Sequence, residues 1–121
     1  MPGKQQFCHE VVSRLTPCGP VMARAMFGGY GLYCEGIMFA LISDNMLYFK
    51  VDDLNREDYE RAGMGPFIYE GKSKPVTMSY YRLPDDVLDN VEVLSAWIDK
   101  ARAAAIRAKR PKQSKSRIAR H

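Results

Sequence analysis

Apolar and polar positions change rhythm several times along this chain, and each change marks an element. Between residues 5 and 16, Phe7, Cys8, Val11, Val12 and Leu15 recur at three- and four-residue spacing, which predicts an amphipathic helix. Pro17, Gly19 and Pro20 stop it. The rhythm then becomes that of strands. Residues 21–27 and 31–35 read as two strands, the second ending at a Glu35-Gly36 turn. The run "IMFALIS" at 37–43 is continuously apolar, as expected of a central strand covered on both faces. Asp44-Asn45 is a two-residue hairpin turn. The strand at 46–51 alternates, with Leu47, Phe49 and Val51 on one face and Tyr48 and Lys50 on the other.

Residues 53–62 read as a short polar helix with Asp53 as N-cap and Gly63 as its stop. A second hairpin spans 67–70 and 76–83, where Val76, Met78 and Tyr80 alternate with Thr77, Ser79 and Tyr81. Pro84 fits a first helical position, followed by Asp85 and Asp86. From there Val87, Val91, Leu94, Ile98, Ala101 and Ala105 repeat at four- and three-residue steps, broadened by Trp97. One helix is predicted, packed to about residue 103 and weakly held beyond it, because its later apolar residues are nearly all alanine.

The order is α-β-β-β-β-α-β-β-α. The fold class is α+β, with helices packed on one antiparallel sheet of about five to six strands. Residues 1–105 form the folded domain, and 106–121 form a basic tail whose composition predicts disorder.

Charge divides the chain a few residues earlier. Residues 1–99 hold nine Lys/Arg against fourteen Asp/Glu, a net of −5; residues 100–121 hold nine Lys/Arg and no acid. Such a tail attracts polyanions with a strong dependence on salt. Arg107, Lys109, Arg110, Lys112, Lys115, Arg117 and Arg120 are therefore the candidate nucleic-acid residues, contacting phosphates without reading bases. No apolar run is long enough to span a membrane, and the first residues contain no apolar stretch of the export type. Three cysteines, Cys8, Cys18 and Cys34, then fit reduced thiols in a cytoplasmic protein.

The chemistry-bearing candidates give no catalytic set. With His9 and His121 as the only histidines and no Cys-x-x-Cys pair, neither a metal site nor a cofactor is expected. Nothing places His9 beside a cysteine as a base. The carboxylate pairs Asp52-Asp53 and Asp85-Asp86 sit at predicted helix starts, where capping accounts for them.

The stretch "RAMFGGYGLY", residues 24–33, has three readings. A phosphate loop would need a Lys and a Ser or Thr opening a helix, and none follows Gly31. Gly29 to Tyr33 matches part of an RNA-binding RNP1 strand, but Gly28 stands where a basic residue belongs and Leu32 where an aromatic belongs. The remaining reading is structural: the glycines bend the chain and let another backbone approach, while Tyr30 and Tyr33 pack on the sheet.

Met26-Phe27-Gly28-Gly29-Tyr30-Gly31, Met38-Phe39-Ala40, Leu47-Tyr48, Tyr80-Tyr81 and Leu83-Pro84 together resemble the N-terminal domain of the TfoX/Sxy competence regulators, over roughly residues 8–105. The resemblance implies a small α+β fold of the secretion-chaperone-like type and a link to genes for natural DNA uptake. In those regulators the protein acts with a cyclic-AMP-responsive activator at promoters, which implies a protein partner in transcription. It implies no enzymatic residue, and it marks Met26, Phe27, Gly28, Gly29, Tyr30, Gly31, Tyr80, Tyr81 and Pro84 as fold determinants. Full-length regulators of this type carry a second, helical domain, and at that place in this sequence the expectation is only a basic tail. The expected function is a non-enzymatic regulatory module, with self-association into a homodimer as a further expectation. The alternatives are a self-associating protein-binding domain with no nucleic-acid role, and a small-molecule binder or enzyme with an unrecognised site.

Overall fold

The strand-forming runs pair into one sheet. The computed structural model describes residues 4–15, 19–26, 28–70 and 74–109. Its elements are α1 (Lys4–Leu15), β1 (Met22–Met26), β2 (Gly29–Cys34), β3 (Ile37–Ser43), β4 (Met46–Lys50), α2 (Arg56–Arg61), β5 (Pro66–Glu70), β6 (Pro75–Arg82), α3 (Asp85–Leu88) and α4 (Val91–Lys109). The six strands lie in the order β1-β2-β3-β4-β6-β5, and every pairing is antiparallel. The fold is α+β in the element order read from the sequence, save that the last predicted helix is two.

The turns explain the meander. Asp44 and Asn45 both adopt positive φ, 56° and 59°, the geometry whose twist matches that of a two-residue hairpin. Glu35 and Gly36 do the same between β2 and β3.

All four helices bury side chains against one face of the sheet. Val11 and Leu15 of α1, Tyr59 of α2, Val87 of α3, and Leu94 and Ile98 of α4 join Leu32, Ile42 and Phe49 in a single core. The rings of Phe39 and Phe49 meet at 5.9 Å, and Tyr59 sits edge-on to Trp97 at 4.7 Å. Burial raises the Tyr59 hydroxyl's pKa, and among the described residues that hydroxyl has no hydrogen-bond partner.

Four sequence expectations are corrected. The continuously apolar β3 is not sandwiched: no described element covers its second face. A β-bulge explains its composition, because Leu32 pairs with Ala40 but Tyr33 with Met38, leaving Phe39 extra. Phe39 and Ala40 therefore both point into the helical core, while Met38 and Leu41 point the other way. The predicted single C-terminal helix is split, since Pro84 is the N-cap of a four-residue α3 and Asn90 starts α4 anew. The Asn90 side-chain oxygen accepts hydrogen bonds from the Glu92 and Val93 amides at 3.2 and 3.3 Å. The short polar helix starts at Arg56 behind Asn55, not behind Asp53. Finally, the packed part of α4 does not end at 103: Ala104 and Ala105 are buried, and the helix runs to Lys109. Ala101 and Ala105 belong to the core, so short side chains suffice to pack this part of the helix.

Candidate functional site

Two surfaces meet at the end of α4. The first is the corner where β4 runs out into α2. Buried Asn55 ties this corner together: its Oδ1 accepts from the Asp52 amide at 2.8 Å and its Nδ2 donates to the Lys50 carbonyl at 3.1 Å. Asp52 in turn accepts from the Leu54 amide at 3.0 Å. The Arg107 guanidinium reaches across from α4 and grips the Asp52 carboxylate with two bonds, Nε to Oδ2 at 2.6 Å and Nη2 to Oδ1 at 3.0 Å. This contact holds the Asp52 pKa below the ordinary carboxylate value, and holds that of Arg107 above its own. An open cleft of about 490 Å³ lies here, lined by Lys50, Asp52, Arg56, Ser79 and Arg107 among others.

The second surface is the face of the sheet opposite the helices. Register and alternation put Met22, Met26, Met38, Met46 and Met78 on it, five of the seven methionines in the chain. Tyr33, Tyr48, Phe67, Tyr69 and Tyr80 interleave with them, and Leu41, Phe67 and Tyr80 form a small core of their own. Tyr48 meets Phe67 edge-on at 5.0 Å. Arg24, Lys50 and Arg82 stand on the same face. The Arg24 guanidinium lies over the Tyr33 ring at 5.8 Å and the Lys50 ammonium over the Tyr80 ring at 5.1 Å. Lys50 also donates to Ser79 Oγ at 2.6 Å. Among the described strand residues facing this side, none is acidic.

The sequence-derived candidates distribute as follows. Of the tail residues, Arg107 belongs to the fold through Asp52, and Lys109 ends α4 beside a cleft shared with Tyr33, Lys50 and Tyr80. Arg110, Lys112, Lys115, Arg117 and Arg120 lie outside the described residues, as do Phe27 and Cys18. Tyr30 packs into the helical core, so the partial RNP1 strand does not present it on the open face. Tyr81 also faces that core, 6.0 Å from Tyr59, whereas Tyr80 faces the open side. Cys8 and Cys34 are buried free thiols, and burial pushes the Cys8 pKa up. His9 is exposed on α1. Of the paired carboxylates, Asp52 meets Arg107, Asp53 meets Arg56 and Asp85 meets Arg82 at 3.5 Å, while Asp89, outside the pairs, meets Arg14 at 2.8 Å. Among the described residues no group of three or more His, Cys, Asp or Glu could hold a metal ion, and no helix is long and apolar enough to cross a membrane.

Sequence reading missed Arg24, Lys50 and Arg82 as a group. The signal is present in part, since alternation puts Tyr48 with Lys50 and Met78 with Tyr80 on like-facing positions. What joins them is the β4–β6 pairing, which sets Lys50 opposite Tyr80 and Tyr48 opposite Arg82.

Fold and surfaces together define a small α+β domain with one helical layer and one bare, cationic sheet face. Its sequence matches the model of the TfoX N-terminal domain over residues 13–105, and the chain belongs to that family. It is similar to "Protein Sxy" of Escherichia coli (strain K12), with 24% identity over 104 residues, 86% of this chain and 50% of that protein. The chain thus spans about half the length of that relative.

Proposed function

We propose that this chain is a non-enzymatic regulatory module of the competence-regulator type, acting in the cytoplasm. Its folded domain engages a protein partner of the transcription apparatus, and its basic C-terminal segment contacts nucleic acid through phosphates. The observation that carries the reading is the family match over residues 13–105. The concentration of cations after residue 99 supports the nucleic-acid half, because each phosphate neutralised releases counterions. No substrate or cofactor enters the proposal.

The test is anisotropy of a labelled duplex titrated with the full chain and with a chain ending at Lys109. The cut falls there because Ala104, Ala105 and Arg107 belong to the folded domain. The full chain is expected to bind at low salt, with affinity falling steeply as salt rises. Removing residues 110–121 is expected to weaken binding at least about tenfold and to flatten the salt dependence. Equal binding by the two chains overturns the nucleic-acid half.

A further inference from the structure

The bare sheet face is apolar, adaptable and cationic, and the family relationship assigns it nothing. We infer that it is the docking surface for an acidic, amphipathic segment of a protein partner. The inference rests on the protein-partner half of the reading above and names where that partner binds and by what chemistry.

The side chains that project from the face are unlike a stacking platform. Met22, Val76 and Met46 are the exposed apolar groups there, at 70%, 52% and 37%. Thioether and aliphatic chains mould to the side chains of a protein partner. Stacking of nucleic-acid bases needs free ring faces. Here Arg24 lies over Tyr33, Lys50 lies over Tyr80, and Phe67 is buried against its neighbours. A protein segment suits this surface better than a single strand.

Charge selects the partner further. Arg24 and Lys50 have no ion pair within 4 Å among the described residues. Burial pushes the Lys50 pKa down, nearby Asp52 partly offsets this, and a carboxylate arriving beside the ammonium further favours its charged form. The chain's own residues 110–121 hold cations and no acid, so they have the wrong sign to fill this face. In a second copy the same face repeats the same cations. Its exposed carboxylates, such as Asp86 and Glu92, would match only head to tail, an arrangement that need not close. A partner segment with apolar residues flanked by carboxylates meets both requirements at once.

The methionines supply the readout. In the full chain labelled with 13C at the methionine methyls, Met22, Met46 and Met78 report on the open face and Met64 on the helical core. The probe is an amphipathic peptide with leucines at i, i+3, i+4 and i+7 and glutamates elsewhere; its control keeps the leucines and replaces the glutamates by lysines. The acidic peptide is expected to shift the Met22, Met46 and Met78 methyls and leave Met64 in place. The lysine peptide is expected to shift none. Arg24→Glu/Lys50→Glu is expected to weaken the acidic peptide at least about tenfold, with the unmoved Met64 methyl showing that the fold persists. Equal binding of the two peptides overturns the inference, and so does acidic-peptide binding that leaves the face methyls still, the sign of capture by the basic segment. Face shifts on concentrating the protein alone assign the surface to a second copy and also overturn it. Tighter saturation of the same methyls by a single-stranded thymidine oligonucleotide does so in favour of nucleic acid. The duplex titration does not use these methyls, so failure of either half is visible separately.

Discussion

Gly28, Gly29 and Gly31 meet three different physical demands, and the bending and close backbone approach expected of the group fall to different members. Gly28 sits at φ +75° in open space, so its demand is conformational. Gly29 has no such φ, but a Cβ there would run into the carbonyl oxygen of Ile42 on β3. That neighbour is backbone and cannot step aside. A Cβ on Gly31 would lie 2.5 Å from Met26 Sδ and 3.1 Å from Met38 Sδ, both ends of flexible side chains. Gly29→Ala is therefore expected to destabilise the domain by about 3 kcal/mol and Gly31→Ala by about 1 kcal/mol, read from urea denaturation midpoints. An equal cost for both would mean that β2 and β3 do not approach as closely as the register requires. The glycine cluster was legible in the sequence as structural. The division of labour was not, because it depends on which atom of a distant strand faces each Cα.

Among the elements, strand positions were the most legible and helix continuity the least. Alternation fixed Leu47 and Phe49 toward the core, and the Asp44-Asn45 pair announced its hairpin. The spacing from Val87 to Ala105 predicts one helix because a break that preserves the apolar stripe is invisible to periodicity. The signal that was there is Asp89-Asn90, a cap pair in mid-pattern. Asn90 restarts the helix by accepting from two free amides of the first turn of α4. Asn90→Ala is expected to cost about 1 kcal/mol and Asn90→Asp to cost less, because aspartate caps as well as asparagine. If both substitutions are neutral in thermal unfolding, the break is maintained by the packing of Val87 and Leu94 and not by the cap. The bulge at Phe39 escaped reading for a related reason. In a run that is apolar throughout, a residue added to one face changes nothing in the pattern. The open sheet face was legible strand by strand and became a surface only with the β4–β6 register, which no spacing along the chain encodes.

At the scale of the whole molecule, the end of α4 is fastened to the far side of the sequence by one bidentate contact, Asp52 to Arg107. Charge composition hides this contact, because it does not distinguish a cation held by the fold from one free to meet phosphate. The two side chains retain about a third of their exposure, so solvent and salt weaken the pair, and about 0.5–1 kcal/mol is the expected loss in Arg107→Gln. Its pH dependence follows from the depressed Asp52 pKa. A carboxyl whose folded pKa lies below its unfolded value, about 3.9, contributes fully above that value and loses its contribution as pH falls through the folded pKa. The stability difference between the native chain and Arg107→Gln should therefore be constant from neutral pH down to about 5 and shrink below about 4 as the Asp52 carboxyl takes up its proton. It should also narrow in high salt at neutral pH. Urea denaturation of both proteins across this range measures it. A difference that persists unchanged at low pH would assign the contribution of Arg107 to its aliphatic stem lying against the corner, and the carboxylate would then play no part in fastening α4.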